Sequence, residues 1–210
     1  MNLSINLYFD SKERFFPIDL NQRLRNYISN TTINSYTRVI DENTTWVYYF
    51  MYYLFDDGLG KCHVDSHVDD LELVVVEIKN NSTISRICFT PHSQKEHFWL
   101  NEQDSQTSLE KTNYGFAINI YCSLGKHATY PIGGKIYRDL GFANDTNDGK
   151  NKIVPLICEL TPETINHPYF AGKKPLLSGE LHYPVVELKK VKYHMFFRGL
   201  PDMSNIFNCY

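Results

Sequence analysis

The chain has 210 residues, 42% of them hydrophobic, with a mean hydropathy of -0.37, as expected of one ordinary soluble globular domain. Its formal net charge is -3, and its densest basic group is only Lys189-Lys190-Val191-Lys192, which argues against a nucleic-acid partner. No stretch approaches the roughly 18 apolar residues of a membrane span, and Met1–Asp10 has no basic start running into an apolar core, so no transmembrane segment and no signal peptide are expected and the setting reads as cytoplasmic or intracellular.

In chain order, the first predicted element is a short amphipathic helix over Leu20–Ser29, with Leu20, Leu24, Tyr27 and Ile28 on one face. Strands follow at Trp46–Phe55, Leu71–Ile78, Ser85–Pro91, Gly115–Ser123, Ile153–Glu159, Val185–Leu188 and Tyr193–Phe197, rich in Val, Ile, Tyr and Phe. Asn-Asn-Ser, Gly-Lys and Asn-Asp-Gly clusters bound them as turns. Lys95–Thr112 is polar and reads as a long loop, as does Pro131–Lys152, and loops of that length often carry function. A second short helix is expected at Thr161–Ile165, where Thr161-Pro162-Glu163-Thr164 has the form of a capped start. Many strands with few helices predict an all-β fold: a single-domain antiparallel β-sandwich, jelly-roll-like, spanning residues 1–210. The five cysteines, Cys62, Cys88, Cys122, Cys158 and Cys209, are odd in number and form no C-x-x-C pair, so buried free thiols are expected.

The densest chemistry lies in His63-Val-Asp65-Ser-His67-Val-Asp69-Asp70-Leu-Glu72, immediately before the apolar run Leu73-Val74-Val75-Val76. Period-two alternation puts Asp70 and Glu72 on the face continued by Val74 and Val76, with Leu71, Leu73 and Val75 opposite. Carboxylates directed into an apolar face are costly unless paired or metal-bound, which makes this a candidate site; the alternative is a solvent-facing half of the strand. Asp56 and Asp57, in Asp56-Asp57-Gly58, either add oxygen ligands or serve a turn. His92 closes one strand and His127 follows another, so both can converge on the cluster. The candidate metal ligands are therefore Asp56, Asp57, His67, Asp70, Glu72 and His127, a mixed carboxylate and imidazole set open to Ca²⁺, Mg²⁺, Mn²⁺ or Zn²⁺.

His67-x-x-Asp70-x-Glu72 before an apolar strand resembles the H-x-G-D-W-E element of the vacuolar protein sorting-associated protein 62 family. Ser123-Leu-Gly-Lys-His127-Ala-Thr-Tyr130-Pro131 resembles that family's S-x-G-x-H-A-x-Y-P element, Thr90-Pro-His92-Ser its strand ending in Q-H, and Asn144-Asp145…Asp148-Gly149 its N-D…D-G loop. The four elements occur in order across residues 46–150. The H-x-x-D-x-E element also resembles the H-R-H-D-W-E region of the necrosis- and ethylene-inducing-like proteins, secreted β-sandwich toxins whose acidic residues bind a divalent cation. Two positions depart from these patterns: Leu71 stands where the tryptophan is, and Asp69 where a glycine or histidine is.

The resemblance implies a metal-dependent binding module that recognises a polar ligand such as a glycan or lipid headgroup. The 15 tyrosines and 14% aromatic content can supply apolar platforms beside such a site. One alternative is a hydrolase of ester or phosphoester bonds, with Glu72 or His127 as general base and His92 or His67 steadying developing charge. No G-x-S-x-G nucleophile motif and no phosphate-binding glycine loop is present. The other alternative is a structural or interaction protein in which the ion staples loops.

Overall fold

The computed structural model describes residues 3–23, 30–58, 66–91, 98–113, 115–136, 144–166 and 185–191. In chain order the strands are β1 (Leu3–Phe9), β2 (Thr32–Asp41), β3 (Thr44–Asp56), β4 (His67–Lys79), β5 (Thr83–Phe89), β6 (Phe98–Leu100), β7 (Leu109–Thr112), β8 (Gly115–Cys122), β9 (Thr129–Tyr130), β10 (Gly134–Ile136), β11 (Asp145–Asn147), β12 (Asn151–Ile153), β13 (Leu156–Glu159) and β14 (Val185–Val186). The helices are short: α1 (Leu20–Arg23), α2 (Glu102–Thr107), α3 (Pro162–Ile165) and α4 (Leu188–Val191). None is long and apolar enough to cross a membrane.

Two sheets carry the fold, as an all-β sandwich requires. One runs β13-β2-β3-β4-β5-β6-β14 and the other β12-β1-β8-β7, with β9 on β8 and a separate β10-β11 ribbon. The β2 to β6 ladder is antiparallel throughout. Three pairs depart from the antiparallel expectation: β1 with β8, β13 with β2 and β14 with β6 run parallel. Each joins segments distant in sequence, so no hairpin forces them to be antiparallel.

The long strands β3 and β4 read as nearly continuous apolar runs because both faces of their sheet are covered. On one face Tyr49, Met51, Tyr53, Val74 and Val76 meet Ile5, Leu7, Phe9, Ile118 and Ile120 of the opposite sheet. On the other, Trp46, Tyr48, Phe50, Tyr52, Leu73 and Val75 pack against Ile18, Leu20 and Leu160. The β4–β5 hairpin turns through Asn80-Asn81-Ser82, with Asn80 and Asn81 at φ +49° and +56°, a left-handed conformation that asparagine tolerates.

Several local expectations change. The predicted strand Ile153–Glu159 is two strands in different sheets, β12 on β1 and β13 on β2, with Pro155 between them unable to donate to a ladder. The Lys95–Thr112 segment contains β6, α2 and β7 rather than one loop. Asn101 caps α2 by accepting from the Asp104 N–H at 2.8 Å, and buried Ser105 accepts from the Ile87 N–H at 3.1 Å. In the Val185–Leu188 segment only Val185 and Val186 are strand, and Leu188 opens α4. The expected helix at Thr161–Ile165 is α3, with Thr161 as its cap and Pro162 in its first turn. Cys88 and Cys122 are buried free thiols and Cys158 is a half-buried one. Cys62, Cys209, the 24–29 part of the first predicted helix and the strand Tyr193–Phe197 lie outside the described residues.

Candidate metal centre

The β3–β4 ladder brings the acidic cluster to one end of the larger sheet. Its register pairs Met51 with Glu72, Tyr53 with Asp70, Phe55 with Val68 and Asp56 with His67. Asp70 and Glu72 point into the inter-sheet side, as alternation from Val74 and Val76 requires, and are only 8% and 4% exposed. Asp56, opposite His67, is buried as well.

Asp56, His67 and Asp70 each offer one ligand atom within 4.8 Å of the others. His67 Nε2 lies 3.6 Å from Asp70 Oδ1. Burial above all, and the nearby Asp70 charge, push the Asp56 carboxyl upward, against the pull of its 2.5 Å hydrogen bond from the Gly58 N–H. Two crowded, partly desolvated carboxylates beside an imidazole are a donor set that a divalent cation satisfies.

The other expected ligands lie outside this three-residue group. Asp57 Oδ2 instead forms an ion pair with Arg14 at 2.5 Å, and its N–H donates to the Gly125 carbonyl at 2.8 Å. Glu72 is on the same face as Asp70 but two residues deeper, opposite Met51. His127 touches the centre through Asp70: its Nδ1 is 3.2 Å from Asp70 Oδ2, the oxygen not facing His67. His92, His63 and Asp65 lie outside the described residues.

His127 is fully buried, with φ +56°, and its ring stacks on Tyr53 at 3.8 Å and 4° between planes. Its Nε2 faces Glu13 Oε1 at 3.6 Å, too far for a hydrogen bond but close enough for a strong charge contact. Burial alone would lower the imidazole's pKa; Asp70 and Glu13 outweigh it and raise it to about 9. Burial works the opposite way on the two carboxylates and is outweighed at Glu13 by His127 with the Gly125 and Phe15 N–H groups, and at Asp70 by His127 with His67, so both stay below their ordinary values. The raised proton affinity of the ring and the lowered pKa of Asp70 are two sides of one contact, which favours an anionic Asp70.

Glu13 is the site residue that sequence reasoning missed. Its Oε1 accepts from the N–H groups of Arg14 and Phe15 at 2.8 and 2.9 Å, and its Oε2 from Gly125 at 2.8 Å. The only sequence signal was an acidic residue flanked by Phe15, Phe16 and Pro17, a stretch that turns out to close over the core.

The Asn144-Asp145…Asp148-Gly149 segment builds scaffold. Asp145 Oδ1 pairs with Lys126 at 3.0 Å and Oδ2 accepts from the Tyr130 hydroxyl at 2.5 Å. Asn147 Nδ2 donates to the Tyr8 carbonyl at 2.7 Å and to the Cys122 carbonyl.

No protein-family model matches the chain, nor does any curated protein or solved structure.

Proposed function

We propose that the protein is a divalent-metal-dependent binding module in which Asp56, His67 and Asp70 hold the ion. The observation that carries this is the convergence of three donors from two strands on one point, with both carboxylates buried. An imidazole nitrogen among carboxylate oxygens suits Mn²⁺ or Zn²⁺ better than Ca²⁺, which favours all-oxygen shells. Three protein donors leave coordination positions to sugar or phosphate oxygens. His67 is half exposed, so the group is reachable from solvent. The resemblance to the necrosis- and ethylene-inducing-like proteins supports a glycan or lipid headgroup as the ligand.

In the hydrolase reading His127, whose pKa Asp70 and Glu13 raise, makes a poor general base, and Glu72 remains the other candidate. Sedimentation with liposomes bearing glycosylated headgroups, with Mn²⁺ or with EDTA, tests the binding reading. Capture that needs Mn²⁺ and disappears in Asp70→Asn is the expected result. Metal uptake without capture of any headgroup or glycan would leave a loop-stapling ion and refute the binding function.

A further inference from the structure

Residues three apart in a regular strand point to opposite faces, because side chains alternate. His67 and Asp70 are three apart in β4, which pairs with β3 at Asp70 and again at Val68 and His67, and yet His67 Nε2 lies 3.6 Å from Asp70 Oδ1. Between them in β4 stands Asp69, whose φ is +62°. That left-handed conformation is ordinary for glycine and uncommon for other residues, though aspartate tolerates it better than most.

Asp69 is also held there. The hydroxyl of Tyr52, itself 1% exposed, donates to Asp69 Oδ1 from the neighbouring strand. Tyr52 belongs to the core face opposite Asp70, packing with Leu73 and Val75. The Asp69 side chain is thus tied to one face of the sheet while its backbone rotates the preceding segment, and His67 with it, toward the other.

We infer that Asp69 is a positioning residue: its left-handed backbone, tethered by Tyr52, swings His67 onto the same side of β4 as Asp70 and so completes the metal-binding group. This rests on the metal-site reading for its functional consequence, while the geometric claim stands apart from any ion. Such supporting residues typically change metal affinity about 10- to 100-fold when removed.

The test uses the full chain with Asp69→Gly, Asp69→Ala and Asp69→Val. Glycine keeps the left-handed backbone available, alanine disfavours it, and valine disfavours it most. Isothermal titration with Mn²⁺ should give an affinity within about threefold of wild type for the glycine variant, and at least about tenfold weaker for valine, with alanine between. Adding His67→Ala should cost the valine variant little more, since His67 is already turned away. In the metal-free protein, a nuclear Overhauser contact between the His67 ring and the Asp70 Hβ protons should be present in wild type and Asp69→Gly and absent in Asp69→Val. If the valine variant does not fold, the alanine variant supplies the same ordering.

Equal affinity in the glycine and valine variants, or a His67–Asp70 contact that survives valine, would overturn the inference. A wild type that takes up no Mn²⁺ but shows the contact and its loss in valine would retire the metal reading and leave Asp69 as the residue that positions His67.

Discussion

The buried Glu13–His127–Asp70 arrangement makes stability depend on pH in a way one histidine should dominate. His127 has its pKa raised from an ordinary 6.5 to about 9, so the folded chain binds that proton more tightly than the unfolded chain. The stabilisation is complete below about pH 6.5 and is lost as pH rises through about 9. At about 1.4 kcal/mol per tenfold difference in proton affinity, the imidazolium contributes about 3 kcal/mol at its fullest, of which about 2 kcal/mol disappears between pH 7 and pH 9. Glu13 and Asp70 work in the opposite sense, their pKa values being lowered: their contribution is present above their ordinary values and fades in acid. Urea unfolding in EDTA at half-unit steps from pH 6 to 9, beside His127→Asn, isolates the effect. Asparagine tolerates the φ of +56° found at this position but does not titrate. Wild type should lose about 2 kcal/mol across pH 7–9 while the variant stays nearly flat. A His127 ring that titrates near 6.5 by nuclear magnetic resonance, or equal slopes in both proteins, would refute the assignment.

Glu13→Gln keeps one oxygen, for either the Arg14 and Phe15 N–H groups or the Gly125 N–H, turns an amide NH2 toward the other, and removes the charge facing His127 Nε2. Its expected cost is about 1–3 kcal/mol at pH 7, shrinking toward pH 9, measured by urea midpoints. Away from the site, Glu77 is 3% exposed and accepts from Trp46 Nε1 at 3.1 Å and from Arg86 Nε and Nη2 at 3.1 and 2.9 Å, while Arg86 lies over the Trp99 ring. Glu77→Gln should cost about 2 kcal/mol, and a loss under about 0.5 kcal/mol would show the pair to be dispensable.

What the sequence reveals depends on how local each signal is. The β3 and β4 runs and the turn at Asn80-Asn81 were legible because apolar composition and asparagine turn chemistry act over a few residues. So was the inward direction of Asp70 and Glu72, which follows from alternation with Val74 and Val76. β1 went unread although Leu3, Ile5, Leu7 and Phe9 alternate, because its partners β8 and β12 lie more than a hundred residues away and no turn marks a hairpin. The candidate site divided along the same line. Asp56, His67 and Asp70 sit on adjacent paired strands and could be grouped from sequence. Glu13 reaches His127 only through tertiary packing across more than a hundred residues. Alternation alone would also have put His67 on the face opposite Asp70, and the left-handed backbone of Asp69 between them is not written in the local pattern.

Asp56, His67 and Asp70 are proposed to hold one divalent cation together. Titrating the metal-free chain with Mn²⁺ and with Zn²⁺ by calorimetry, alongside His67→Ala and Asp70→Asn, measures it most directly. One ion per chain in the wild type, with affinity at least tenfold weaker in each variant, is the predicted result. Uptake of no ion, or uptake that neither substitution changes, would contradict it.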